Sequence, residues 1–395
     1  MEIREMKQMF FEYFGGEDKN IRFFASPGRV NLIGEHTDYN GGFVFPGALK
    51  MKTTIMCRVR DDKKIRLMAT DLKIMVEADI DNLANYKDLK WGDYQLGTIY
   101  EMMCNGYEVM GMDMLYDDTV PHGSGLSSSA AIEVSTALCV ATLSNEKKGI
   151  TTPVDMIEMA KLSQMAEHNY IGVKCGIMDQ FSSAMGKEGH AIFLDCKDLS
   201  YKYVKLNLDG KKIVIANTNK KHSLGNSAYN QRRMECEKGL EILKTAMPEK
   251  TCLGEISLAE FDMHKHLIDD EIVLKRVEHV ISEDDRVLKS VEALGIGDVK
   301  EFGRLMNASH DSLRDLYEVT CLELDTIVDE ARKIKGTLGA RMTGAGFGGS
   351  TVSIVEADYV DEFIEKVGKA YTEITGLTAD FYVTELGDGG REILA

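Results

Sequence analysis

The chain has 395 residues, more than one hydrophobic core normally supports, so two domains are expected. Its net charge of −17 argues against nucleic acid and anionic membrane as partners, and no apolar run approaches the roughly 20 residues of a membrane span. Eight cysteines, at positions 57, 104, 139, 175, 196, 236, 252 and 321, include no C-x-x-C pair, which fits reduced thiols in a cytoplasm better than disulfides or a zinc site.

In chain order, MEIREMKQMF is a charged amphipathic opening rather than a signal peptide. Strand patterns follow at 21–25, 43–45, 53–59, 64–68 and 74–78. Helical patterns then dominate, at 126–143, 153–170, 273–294 and 319–334, with Thr152 as the expected N-cap of the second and Pro153 in its first turn. Strands return at 212–216, 350–355 and 381–385. Strands and helices without regular alternation indicate an α+β fold, not a doubly wound parallel sheet. A domain boundary is expected near residue 200. With five prolines, no repeat and no low-complexity tract, the domains should pack directly against each other.

Four segments carry chemistry. Residues 27–42, PGRVNLIGEHTDYNGG, join an apolar run to Arg29, Glu35, His36, Asp38 and Asn40. A strand delivering a polar loop into a pocket satisfies both halves, and that donor and acceptor set suits a small polyhydroxylated ligand. The residues alone leave open an ordinary strand and turn.

Residues 121–131, PHGSGLSSSAA, precede a helical run with bare backbone, where free N–H groups favour an anion such as phosphate. No Walker-type G-x-x-x-x-G-K-[ST] sequence is present. In residues 167–180, EHNYIGVKCGIMDQ, Glu167 closes a helix and Asp179 follows a glycine-containing bend. Two carboxylates from separate elements can then converge, one on a divalent cation and one on a nucleophile. Residues 341–350, RMTGAGFGGS, match G-x-G-x-x-G literally but run into a strand, so the dinucleotide reading fails. The loop either approaches a ligand closely or simply turns.

Taken together, and in this order from residue 27 to residue 350, these motifs resemble those of the galactokinase family within the GHMP small-molecule kinase superfamily. Lesser matches are WGDY at 91–94, SLGNSAYNQRR at 223–233 and the C-terminal GDGGREI, so the resemblance spans nearly the whole chain. It implies transfer of the γ-phosphoryl group of Mg-ATP to the C1 hydroxyl of α-D-galactose, the committing step of galactose use. Mg²⁺ is the implied cofactor and ATP the co-substrate. By motif position, Asp179 and Arg29 would be catalytic. Glu35, His36, Thr37, Asp38, Gly176 and Tyr229 would bind the sugar. Gly123, Ser124, Gly125, Leu126, Ser127, Ser128, Ser129 and Trp91 would contact the nucleotide, with Ser129 and Glu167 on the metal.

The implied fold is the two-domain GHMP kinase fold. A ribosomal-protein-like N-terminal domain spans 1–200 and a ferredoxin-like C-terminal domain spans 201–395, with the site between them and the last strand returning to the first domain. The expected partners are galactose and ATP, with no nucleic acid or membrane, in a cytoplasmic monomer or weak homodimer. Rival readings are a kinase for galactosamine, N-acetylgalactosamine or a related sugar, and a galactose/ATP-binding regulator without turnover. The intact SSSAA beside Asp179 and Arg29 ranks the regulator below the enzyme. Ser350 stands where many family members have cysteine, an expected packing difference.

Overall fold

The computed structural model describes residues 1–17, 19–87, 91–220 and 225–394. Strand β1 (Ile21–Asn31) alternates with period two, so Phe23 packs against the helix α1 (Ile3–Phe14) while Phe24 enters the main N-terminal core. It lies in a six-stranded sheet with β3 (Pro46–Arg60), β4 (Lys64–Ala69), β5 (Met75–Asp79), β6 (Gly111–Asp118) and the last strand, β13 (Arg391–Ile393). The order is β13-β1-β3-β6-β4-β5, and only β4 and β6 run parallel. The expected strand at 53–59 is the outer part of the much longer β3.

Helices α2 (Gly92–Cys104), α3 (Ser128–Lys148), α4 (Met156–Ala166) and α5 (Met178–Met185) cover the other face. The helix expected at 153–170 is shorter. Asp155, not Thr152, caps it, accepting from the Ile157 and Glu158 amides at 2.9 and 3.2 Å, so Pro153 lies outside the helix. Its far end widens into an i→i+5 turn, with the Gly172 amide on the Glu167 carbonyl at 2.8 Å.

A small sheet of β2 (Phe43–Val44), β7 (His190–Asp195) and β8 (Tyr201–Lys205) connects to the second half. There β9 (Lys211–Asn217), β10 (Thr337–Thr343), β11 (Ser350–Glu356) and β12 (Asp380–Thr384) form an antiparallel sheet in the order β10-β11-β9-β12. That is the split β-α-β-β-α-β arrangement of ferredoxin-like folds. Helices α6 (Gly225–Leu243), α7 (Leu258–His264), α8 (Glu271–Gly295), α9 (Val299–Ser312), α10 (Leu322–Lys333) and α11 (Val360–Thr375) complete it. α10 starts three residues later than expected because the Val319 carbonyl instead takes the Phe347 amide at 2.7 Å, seating the glycine loop.

The two halves share apolar core. Val30, Leu32, Ile33 and Phe45 pack in one buried cluster with Ile215, Phe302, Val352 and Ile354. Among the described residues no helix is long and apolar enough to cross a membrane.

Candidate active site

Between the halves lies a cleft of about 680 Å³, within the usual range for a small-ligand site. Arg29, Glu35, His36, Asp38, Gly123, Gly125, Ser127, Ser128, Ser129, Gly176, Asp179 and Tyr229 all line it. Cys175, Asn230, Gly344, Ala345 and Gly346 complete much of the wall.

Arg29 stands just past an irregularity in the β1–β3 pairing: the register shifts between Pro27 and Arg29, with the extra residues on β3. Arg29 is nearly fully buried and grips Asp179 in bidentate fashion, Nε to Oδ1 at 2.8 Å and Nη2 to Oδ2 at 2.9 Å. Its Nη1 donates to the Gly125 carbonyl at 2.6 Å, tying the pair to the glycine-serine segment. The Arg29 amide donates to the Leu126 carbonyl at 3.0 Å. That approach requires glycine at 28, where a Cβ would stand 2.5 Å from the same carbonyl. Gly28→Ala should therefore displace the glycine-serine segment from β1, lowering stability by about 1–3 kcal/mol and kcat roughly tenfold or more. Thermal melting and steady-state kinetics check both.

α3 begins with Ser127 in a left-handed conformation, φ +60°, and without a side-chain cap. Its hydroxyl donates instead to Asp179 Oδ2 at 2.5 Å. The first-turn amides of α3, with Ser128 and Ser129 on the cleft wall, are left for an anion. The glycine loop after β10 buttresses this segment: Ser350 Oγ donates to the Ser124 carbonyl at 2.7 Å. The residue at 350 thus makes a defined polar contact. Gly344, Ala345 and Gly346 also border the cleft, so the loop is more than a turn.

Also lining the cleft, Asp38 is held against Gly176, where any Cβ would overlap its carboxylate. Burial first, then Asp179 and Glu35, push its carboxyl up to about 7, while the backbone amides of Tyr39 and Met178 pull the other way. Glu35 is already heavily engaged, Oε1 accepting from the Gly344 amide at 2.7 Å and Oε2 from Asn31 Nδ2 at 3.0 Å. The buried Arg341 lies 3.5 Å from Oε1 and donates to the Asn31 carbonyl at 2.8 Å.

His36 borders the cleft, but both ring nitrogens are occupied. The Ala345 carbonyl, 3.2 Å from Nε2, can only accept, so Nε2 carries the proton. Nδ1 must then accept from Tyr39 Oη at 2.9 Å, and Tyr39 in turn accepts from Tyr317 Oη at 2.8 Å. Burial, then His279, lowers the His36 value to about 3, so the ring is neutral. It ties the polar loop to the glycine loop and offers a ligand only its edge and face. Tyr229 packs beside it, ring centroids 5.7 Å apart. Of the segment 223–233 around Tyr229, residues 223 and 224 lie outside the described residues.

Several expected contact residues do not line the cleft. Thr37 is buried within its own loop, its hydroxyl bridging the Gly34 and Phe43 carbonyls at 3.0 and 2.6 Å. Ser124 donates to the Pro121 carbonyl at 2.6 Å, and Leu126 is apolar core. Trp91 packs edge-on to Tyr116 at 6.4 Å, because a ring that size finds apolar neighbours in the N-terminal core. Glu167 lies behind the wall. Gln180 Nε2 donates both to Glu167 Oε1 at 3.2 Å and to Glu133 Oε2 at 3.1 Å. Burial, then Asp179, raises Glu167 to about 7, with Ser129 hydrogen bonding in the other direction. Burial, then Glu167, raises Glu133 well above the carboxylate range, and its Oε1 has no partner among the described residues.

The sequence alone assigns no role to Glu133, Arg341 or Tyr39. Arg341 and Tyr39 stand inside recognised motifs, a usable signal; Glu133 reads as an ordinary polar helix position.

Comparison with known proteins gives a consistent picture. Family models match for "Galactokinase galactose-binding signature" at residues 8–59, "GHMP kinases N terminal domain" at 94–187 and "GHMP kinases C terminal" at 290–373. The chain is 49% identical over 394 residues to a galactokinase of Fusobacterium nucleatum, covering 99% of this chain and 98% of that protein. It is 46% identical over 393 residues to a galactokinase of Clostridium tetani, covering 100% and 98%. The crystal structure of Lactococcus lactis galactokinase complexed with galactose superposes with a TM-score of 0.92 at 41% identity, covering 99% of this chain and 100% of that one.

Proposed function

This chain belongs to the galactokinase family and has the two-domain GHMP kinase fold, and from that premise we propose how its cleft transfers the γ-phosphoryl group of ATP to the C1 hydroxyl of galactose. The observation that carries the reading is the Arg29–Asp179 pair, which stands between the uncapped start of α3 and the polar loop at 35–38. Phosphates rest on the amides of α3 and the sugar on the loop, so the pair lies where phosphoryl acceptor and donor meet.

Asp179 has four acceptor positions, and among the described residues three are filled, one on Oδ1 by Arg29 and two on Oδ2 by Arg29 and Ser127. The open position on Oδ1 receives the sugar hydroxyl. Asp179 orients that hydroxyl and accepts its proton as the bond to phosphorus forms, while Arg29 faces the charge on the transferring group. Asp38 accepts from ring hydroxyls, and Gly176 leaves it the room to do so.

The wall also fits a divalent cation. Among the described lining residues Arg29 is the only cationic side chain, while Glu133 and Glu167 are buried side by side with Glu133 Oε1 unpartnered. An oxygen donor set of Ser129 and Glu167 suits Mg²⁺ shared with phosphate oxygens. When bound, Mg²⁺ would neutralise phosphate charge; Ser129 and Glu167 would fix its place. We set the domain division near residue 200, since the ferredoxin-like sheet starts at β9, and place the protein in the cytoplasm, where its eight free thiols stay reduced.

The test is Mg²⁺-dependent ADP release with galactose, galactosamine, N-acetylgalactosamine, glucose and mevalonate. Turnover is expected to be highest with galactose. Calorimetric binding of galactose and ATP without turnover would move the protein to the regulator class.

A further inference from the structure

The loop that presents Glu35, His36 and Asp38 is fastened at both ends to α8, a helix of the second half. At the near end the Gly34 and Glu35 amides converge on one oxygen, Glu283 Oε1, at 2.9 and 3.3 Å. Successive amides converging in this way form a concave anion site, here filled by the protein's own carboxylate. Ser309 Oγ donates to the same oxygen at 2.6 Å and Arg286 Nε to Oε2 at 2.6 Å. Glu283 is fully buried; burial opposes its charge, yet Arg286, His279 and Arg341 hold it down to about 2. His279 adds Nε2 on the Glu35 carbonyl at 3.1 Å. At the far end the Phe43 amide donates to Asp284 Oδ1 at 2.7 Å. Thr37 Oγ1 links the two ends from inside, between the Gly34 and Phe43 carbonyls.

We propose that Glu283 and Asp284, working with Thr37, are positioning residues that hold the loop 34–43 in its galactose-binding shape. The proposal rests on the reading that the sugar sits at Asp38. Neither carboxylate lines the cleft, so both act through the loop they grip. The fastening consists of hydrogen bonds to backbone, and its loss leaves the β1–β3 pairing from Arg29 to Asn31 in place. The phosphate segment has anchors of its own, Arg29 on the Gly125 and Leu126 carbonyls and Ser350 on the Ser124 carbonyl, besides the glycine loop on which the polar loop also rests. Slackening the clamp should therefore act on galactose and spare ATP. In Glu283→Gln, one end of the amide turns a donor toward either Arg286 or the loop amides, so the clamp cannot be kept whole.

The experiment is calorimetric titration of galactose and of Mg-ATP into wild type, Asp38→Ala, Glu283→Gln, Asp284→Ala and Thr37→Val, with melting curves to give the folded fraction. Glu283→Gln and Asp284→Ala are expected to weaken galactose about tenfold or more, with ATP affinity within about twofold of wild type. A merely structural role would lower the melting temperature and leave the folded fraction binding galactose normally, which overturns the proposal, as does parallel loss of both ligands. Should Glu283→Gln fail to fold, Asp284→Ala and Thr37→Val decide by the same criterion. If Asp38→Ala binds galactose like wild type, the sugar-site reading itself falls; if Asp38→Ala loses galactose but the clamp variants do not, only the clamp falls.

Discussion

Asp179→Asn is expected to lower kcat by about three orders of magnitude while galactose affinity changes only a few-fold. The carboxylate is the meeting point of three donors, Arg29 Nε, Arg29 Nη2 and Ser127 Oγ, and offers one open acceptor position on Oδ1. An asparagine keeps the volume but must place an NH₂ where an acceptor stood. In place of Oδ2 it opposes the Arg29 Nη2 and Ser127 donors; in place of Oδ1 it opposes Arg29 Nε and also turns a donor toward the sugar, and in neither position does a neutral amide deprotonate the hydroxyl. Arg29 is nearly buried, so half of a charge pair is also left behind. The Asp179 side chain is 32% exposed, so water can compensate in part and the fold should persist. Sugar affinity is retained because it rests chiefly on the polar loop. Rapid-quench measurement of phosphoryl transfer, alongside galactose calorimetry, checks both halves; an Asn variant within tenfold of wild-type kcat would sink the assignment.

The second large effect is expected at Asp38. Asp38→Ala should raise galactose KM about a hundredfold or more and leave ATP KM nearly unchanged, because a site built to bond particular hydroxyls loses its acceptors. Gly176→Ala should do much the same without touching Asp38 chemically, since its Cβ would push the carboxylate aside.

A pH signature accompanies this role. The Asp38 carboxyl is raised to about 7 by burial, then by Asp179 and Glu35. Hydroxyls donate to the ionised form, so the form that binds sugar is populated above that value and depleted below it. Galactose affinity is expected to rise with pH between about 6 and 8, by at most about tenfold per unit on the acidic side, with proton release on binding near neutrality. Asp38→Asn should bind weakly and without this slope. A slope unchanged in Asp38→Asn would assign the titration to another group.

The parts of the site that were legible in the chain share one property: their chemistry is local. Residues 27–42 join an apolar strand to a cluster of polar groups, and residues 121–131 leave a helix start bare, so each shows its candidate chemistry within one short segment. The α+β class followed from element order in the same way. Boundaries were less secure where competing local bonds existed, as when Asp155 rather than Thr152 took the N-cap. Thr37 and Trp91 look like ligand contacts inside their motifs, yet Thr37 closes its own loop and Trp91 fills core. His36 is expected as a sugar contact, but a carbonyl and a tyrosine hydroxyl occupy its two nitrogens.

By itself the sequence determined the fold class and put forward the glycine-serine segment, the polar loop, Arg29 and Asp179 as candidates. Only the tertiary structure decided that these two meet from 150 residues apart, that Glu133 lies beside Glu167, and that Glu283 and Asp284 accept from the backbone of the polar loop from another half of the molecule. The reason is electrostatic. A carboxylate on a helix reads the same whether it faces water or a buried amide, and its role is set by burial and by partners distant in sequence, which no local pattern encodes.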